Sequence, residues 1–191
     1  GRSILISYNI NLLFNTRKAN SLRRKVALAE LNTGFKISIY IARDETFVFY
    51  IGISEDDVID RLQTHLGIGA WNWTQNKSEF GKFVHFNKPS SNEWKVDLLS
   101  PVECSEYLAI RGCDVGSTAI LSASEAEAIL IGKLRPAINR SKNTEPMNLP
   151  SQFVLPGLDE NSVNTVRDHL RRFGLSPQDA LNRRTGSSDN E

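Results

Sequence analysis

Five side chains are spaced so that ordinary secondary structure could gather them for chemistry on a phosphate. Tyr40 and Tyr50 lie in two apolar runs, residues 36–42 and 47–52, separated by Asp44, Glu45 and Thr46. Such runs around a short polar turn read as two strands of a hairpin. Side chains alternate across a strand. If residue 40 faces residue 50, Ile37, Ile39 and Ile41 share one face with Phe49, Ile51 and Ile53. The other face then carries Ser38, Tyr40 and Ala42 beside Val48, Tyr50 and Gly52, with the two phenols as cross-strand neighbours. A one-residue slip would mix the faces and lose the apolar layer. On the hairpin alone, the phenols read equally as a stacked pair supporting a sheet. Beyond it, Arg61 and His65 stand one helical turn apart, placing a permanent cation beside an imidazole on one stripe. Further on, Glu127 borders an apolar stripe through Ile131 and Leu134. A carboxylate held there could bind a hard cation through oxygen. The plainer readings are an exposed Arg–His pair on an amphipathic helix, and a Glu127 that closes a capping box with Ser124.

The elements that would position these residues follow from local pattern. Residues 54–66 read as a helix: Ser54-Glu55-Asp56-Asp57 forms a capping box, Val58, Leu62 and Leu66 an inward stripe, and Gly67 a stop. Residues 94–99 read as a third strand, and residues 118–121 as a fourth or as the end of an insertion. A second helix begins at Ser122 or Ser124 and is closed by Pro136; a cap made by Ser122 and Glu125 would leave Glu127 for other work. The fold class expected is α+β, a small central antiparallel sheet of about three strands flanked by helices, with helical appendages at both ends.

Three segments are expected: a basic, partly helical stretch at 1–35, a central domain at 36–145, and a Pro-punctuated linker with a helical appendage and polar tail at 146–191. In the first, Asn20 or Ser21 can cap a helix through Leu22, Val26 and Leu28 that Gly34 ends, while residues 4–14 fit strand or helix. In the last, Val163, Val166, Leu170 and Phe173 mark one helix face, and Ser176-Pro177 opens a second short helix. That pair reads as a DNA-reading element or as a packing or dimerisation arm. The net charge is +1, so bulk charge announces no nucleic-acid binder. Its distribution says more, with basic groups at Arg17, Lys18, Arg23, Arg24 and Lys25, at Lys133, Arg135, Arg140 and Lys142, and at Arg167, Arg171, Arg172, Arg183 and Arg184. These are phosphate contacts or solvated helix faces. No apolar run approaches the roughly 20 residues of a membrane helix, and no secretory leader is recognisable. Cys104 and Cys113 allow one bridge but no disulfide framework, so an intracellular, reducing compartment, cytoplasmic or nucleoid and nuclear, is expected.

In order and spacing these residues resemble the GIY-YIG nuclease superfamily. The succession is Ser38-Ile39-Tyr40, Tyr50-Ile51-Gly52, Arg61, His65, Glu127, then Pro136 and Asn139. Arg61-x-x-x-His65 looks like the homing-endonuclease branch, and Glu127 onward to Asn139 looks like the bacterial excision-repair incision subunit. The resemblance covers roughly residues 36–143. It implies a DNA endonuclease that hydrolyses phosphodiesters with one divalent metal, Mg²⁺ or Mn²⁺, held by Glu127. Phosphodiester cleavage needs an activated water, charge neutralisation at phosphorus and help for the leaving oxygen. On this expectation Tyr40 is the base or orients the water, and Arg61 stabilises the pentacoordinate phosphorus. Tyr50 and His65 position water or relay a proton, and Asn139 braces the site. An unperturbed tyrosine ionises near pH 10, so the metal or Arg61 would have to favour the phenolate. A homodimer would place one centre on each strand.

There are departures from the family pattern. Ser38 stands where a glycine is usual, Ile53 where many members have a polar or basic residue, and one extra residue separates Tyr50 from Arg61. The interval from His65 to Glu127 is long, which implies an insertion within 67–121. It holds Trp71, Trp73, Phe80, Phe83, His85 and Phe86 among Lys77, Lys82 and Lys88. Those aromatics read as base-stacking groups beside phosphate-binding lysines, or as a satellite core. The alternative function is a catalytically silent module that keeps the fold and binds nucleic acid.

Overall fold

The computed structural model describes residues 6–68, 78–114 and 122–156. The expected strand at 118–121, the aromatics Trp71 and Trp73 with Lys77, and the helices expected after residue 160 lie outside the described residues.

The protein is α+β. Strands β1 (Ile6–Asn9), β2 (Ile39–Arg43), β3 (Val48–Ile53) and β4 (Lys95–Leu99) form one antiparallel sheet in the order β1-β4-β2-β3. The sheet has one strand more than the sequence reading expected. The extra one comes from the N-terminal segment, where residues 4–14 had fitted strand or helix. Both sheet faces are buried. On one, Tyr40, Ala42, Phe49 and Leu98 meet α1 (Thr16–Thr33), α2 (Val58–His65) and α3 (Glu79–Phe86). On the other, Ile39, Ile41, Ile51 and Leu99 meet α4 (Cys104–Ile110) and α5 (Ala123–Leu134).

The hairpin pairs Tyr40 with Gly52 and Ala42 with Tyr50, two residues from the expected register. An even shift preserves face parity, so Ile39, Ile41, Ile51 and Ile53 still share a side. A bulge between Ala42 and Arg43, next to the turn, reverses parity beyond it. Val48 therefore joins the isoleucine layer and Phe49 joins Tyr40, opposite to the expected assignment. Ile37 precedes β2 and also packs on the Tyr40 side. The turn is held by the Asp44 carboxylate, which accepts the N–H groups of Thr46 and Phe47.

Helix ends differ from expectation where a better cap lay nearby. α1 starts after Asn15, whose side chain accepts the Lys18 N–H, not at Asn20 or Ser21. Leu28 is exposed, while Ala19, Leu22 and Val26 make the inward stripe and Gly34 ends the helix at φ 75°. Asp57 itself caps α2, accepting from Ile59 and Asp60, so the Ser54 capping box does not form. Ser122 caps α5 through the Glu125 N–H, which leaves Glu127 outside the cap.

Three polar ties fix the elements that carry the site. Arg23 of α1 bonds Asp60 and Gln63 and pairs with Asp57, locking α1 to the start of α2. Asp97 of β4, fully buried, accepts from Arg43 at 2.6 Å and from the Tyr107 hydroxyl at 2.6 Å, with Arg111 at 3.4 Å. Burial pushes the Asp97 carboxyl up, but hydrogen bonds from Arg43, Tyr107 and Ser7 outweigh it and hold the group below its ordinary range. The open edge of β3 is covered by chain leaving α5: Ala137 N–H donates to Val48, and Ile138 N–H to Phe49.

The described phenylalanines of the long interval are core. Phe83 and Trp94 pack with Phe49 and Phe153, and Phe80 is 1% exposed. For Phe80, Phe83 and Phe86 the packing reading holds over base stacking. Both cysteines are free. Among the described residues no helix is long and apolar enough to cross a membrane.

Candidate active site

Tyr40 lies over Gly52, and this placement organises the site. A Cβ on Gly52 would fall 2.3 Å from the Tyr40 phenol carbon and oxygen, so only glycine leaves room for the ring. Tyr50, diagonal to Tyr40 across the hairpin, stacks on it at 6.3 Å between ring centroids and on Phe80 of α3 at 5.0 Å. His65, at the last turn of α2, enters edge-on between the two phenols. Its Nε2 is 2.8 Å from the Tyr40 hydroxyl and its Nδ1 is 2.6 Å from the Ser78 hydroxyl. His65 is 7% exposed. Burial, then the Arg61 charge, lower its pKa to about 4, so it is neutral at pH 7.

Arg61 is exposed on the same helix, and its charge reaches Tyr40, Tyr50 and His65. Burial, then Tyr50, raise the Tyr40 pKa well above that of an ordinary phenol, although Arg61 opposes this by charge and hydrogen bonding. Burial, then the Glu127 charge, also raise Tyr50. Arg61 is the described charge that could favour a phenolate at Tyr40. It does not overcome burial, so Tyr40 stands protonated and can accept a proton only as it gives one up.

Glu127 projects from the first half of α5, near enough to both phenols for its charge to raise their pKa values. Its side chain is 15% exposed and pairs with Lys142 at 2.9 Å. Lys142 sits in the left-handed region at φ 60°. Asn139 makes two bonds to one residue: its Oδ1 accepts the Ile51 N–H and its Nδ2 donates to the Ile51 carbonyl, both at 2.8 Å. It thus extends the sheet past β3 and clamps the backbone between Tyr50 and Gly52. Tyr40, Tyr50, Arg61, His65 and Glu127 therefore share one neighbourhood, while Asn139 supports it from behind.

Three contributors escaped the sequence reading. Ser78 carried a signal, since a serine before Glu79 and an apolar run is a helix cap, and it does accept the Gly81 N–H. Phe80 was read only as one of a group of aromatics. Lys142 was read as a member of a basic group, yet several of those charges are met internally, with Arg140 on Glu79 and Arg135 on Glu145.

Among the described residues there is no group of three His, Cys, Asp or Glu side chains suited to a metal. One partly exposed carboxylate does fit a hard cation held mostly by water and phosphate oxygens, as Mg²⁺ often is. Lys142 holds one of the two Glu127 carboxylate oxygens, so such an ion would share the carboxylate with it or displace it. No protein-family model, curated protein or solved structure matches this chain.

Proposed function

We propose that this chain is a divalent-metal-dependent DNA endonuclease of the GIY-YIG kind. The observation that carries the reading is the gathering of Tyr40, Tyr50, Arg61, His65 and Glu127 from four elements around one hydrogen-bonded pair, Tyr40–His65. Arg61, exposed beside this pair, would hold the scissile phosphate and offset the charge that grows at phosphorus. Tyr40 would orient the attacking water and take its proton, and His65 would be the acceptor behind it. Tyr50, fixed between Tyr40 and Phe80, would wall the water's side of the centre. Glu127 would hold Mg²⁺ or Mn²⁺, which when bound supplies Lewis acidity at the phosphate and at the leaving oxygen.

The test is cleavage of supercoiled plasmid, and separately of branched DNA, with Mg²⁺, Mn²⁺ or EDTA. Metal-dependent cutting that is lost in Glu127→Ala and Arg61→Ala is expected. Cutting that survives Arg61→Ala at the wild-type rate would remove the charge argument. The Lys142–Glu127 ion pair favours a second reading, a silent module whose carboxylate is permanently neutralised. DNA binding without cleavage on every substrate would select it.

A further inference from the structure

The hydroxyl of Ser78 touches three groups: the Gly81 N–H at 3.2 Å, the His65 carbonyl at 3.5 Å and His65 Nδ1 at 2.6 Å. A serine hydroxyl has one proton and two acceptor sites. The amide can only donate and the carbonyl can only accept. All three contacts are satisfied together when the hydroxyl proton points to the carbonyl and Nδ1 carries the imidazole proton. The far end of the chain gives the same answer. Tyr40 is 1% exposed, and His65 Nε2 is the one acceptor for its proton among the described hydrogen bonds. Were Nε2 protonated, the Tyr40 oxygen would receive that donor and its own proton would have no partner among the described hydrogen bonds.

We propose that Ser78 is a positioning residue: by accepting the Nδ1 proton it fixes His65 with a bare Nε2, which takes the Tyr40 hydroxyl proton and leaves a lone pair of the phenol oxygen free to accept another. The proposal rests on the nuclease reading for what that lone pair does. The step it sets up is balanced. As the water oxygen bonds to phosphorus, a water O–H bond breaks and its proton goes to the Tyr40 oxygen. The Tyr40 proton passes to Nε2 in the same event, and positive charge appears on His65 while negative charge appears on the phosphoryl group. No free phenolate forms, which suits a phenol held in a buried site. As the bond from water to phosphorus forms, the phosphorus–oxygen bond to the leaving group breaks and the leaving oxygen takes a proton from solvent; the imidazolium then returns its proton to solvent.

The experiment has two arms on the full chain. Long-range ¹H–¹⁵N correlation of histidine-labelled protein reads the His65 tautomer directly, without DNA. A bare Nε2 and a protonated Nδ1 are expected near pH 7 in the wild type, and a mixture in Ser78→Gly; a protonated Nε2 in the wild type overturns the proposal. Glycine is chosen because it is tolerated at a helix cap, so the hydroxyl is removed with little threat to folding. In single-turnover cleavage, Ser78→Gly should lower kcat about 10–100-fold with KM unchanged, the scale seen when a group that orients a histidine is lost. Ser78→Thr should restore kcat to within about threefold, because it keeps the hydroxyl. A Ser78→Gly protein with wild-type kcat, or one changed only in KM, overturns the positioning role. If the wild type cuts no DNA, the nuclease reading falls while the tautomer measurement still decides the Ser78 assignment.

Discussion

Gly52→Ala is the sharpest perturbation of this site, because it adds one methyl group directly beneath Tyr40. The new Cβ would lie 2.3 Å from both the Cζ and Oη atoms of Tyr40 and 2.6 Å from Cε2. Carbon contacts are comfortable at about 3.5–4.0 Å, so the ring must move by roughly 1 Å or more. It has nowhere to go, being 1% exposed, bonded to His65 and stacked against Tyr50. Gly52 is not among the glycines at positive φ, so the cost is steric and not conformational. Overpacking costs about 1–3 kcal/mol, and losing the Tyr40–His65 bond adds about 1 kcal/mol. A net loss of about 2–4 kcal/mol is expected, or a Tm lower by roughly 5–15 °C in a chain of this size. Urea denaturation followed by tryptophan fluorescence reads it, since Trp94 is buried in the aromatic cluster behind the site. The cause is isolated by a double-mutant cycle: in a Tyr40→Ala background the space beneath the ring is open, and Gly52→Ala should cost almost nothing. An equal cost in both backgrounds would show that Tyr40 does not lie over Gly52, and the placement of the site would go with it.

Asn139→Ala should cost about 2–4 kcal/mol, because it strips both partners from the buried Ile51 backbone; hydrogen exchange at the Ile51 amide should rise with it, and an unchanged amide would refute the clamp. His65 makes stability depend on pH. Its pKa is 6.5 unfolded and about 4 folded, so as pH falls through that window the unfolded chain takes up the proton first. Stability should be full above pH 6.5 and decline by up to about 3 kcal/mol towards pH 4, and a His65→Gln protein with the same pH slope would contradict this. Asp97→Asn should cost about 3–5 kcal/mol, since Arg43 and Arg111 then face a buried neutral amide. The native Asp97 carboxyl is held low, so its contribution is present above about pH 4 and lost as pH falls below that. A pH profile below 4 that matches between wild type and Asp97→Asn would argue against the buried network.

What the sequence showed of this fold was its periodicity, and what it hid was its parity. Alternation in residues 36–42 and 47–53 was enough to place two strands and to put Tyr40 and Tyr50 on one side. It could not show the bulge at Ala42–Arg43, because one extra residue beside a turn leaves the apolar composition unchanged while exchanging the faces of Val48 and Phe49. Strand β1 was ambiguous for a related reason. Ile6–Asn9 is a four-residue edge strand running into a 3₁₀ turn, too short for a clear period of two. Caps were misplaced by more than a turn where several polar residues competed, as Asn15, Asn20 and Ser21 did for α1. Only the geometry of the preceding chain decides among them.

The candidate site was legible in its residues and not in its electrostatics. Tyr40, Arg61, His65 and Glu127 could be picked out by spacing, but their states depend on partners far along the chain: Ser78 on His65, Lys142 on Glu127, Phe80 under Tyr50. Those partners divide the site into two parts. Tyr40, His65 and Asn139 are buried and hydrogen-bonded within the protein, so their arrangement is in place before any substrate arrives. Arg61 and Lys142 are exposed, and the Glu127–Lys142 pair is open at its edge. A phosphate and its cation would therefore meet a rigid base and a rearrangeable charge cluster, and binding would act on the second alone. On this arrangement the adjustment that the nuclease reading asks for is at Glu127, where Lys142 already holds one carboxylate oxygen. The Tyr40–His65 pair has only to remain where packing over Gly52 has put it.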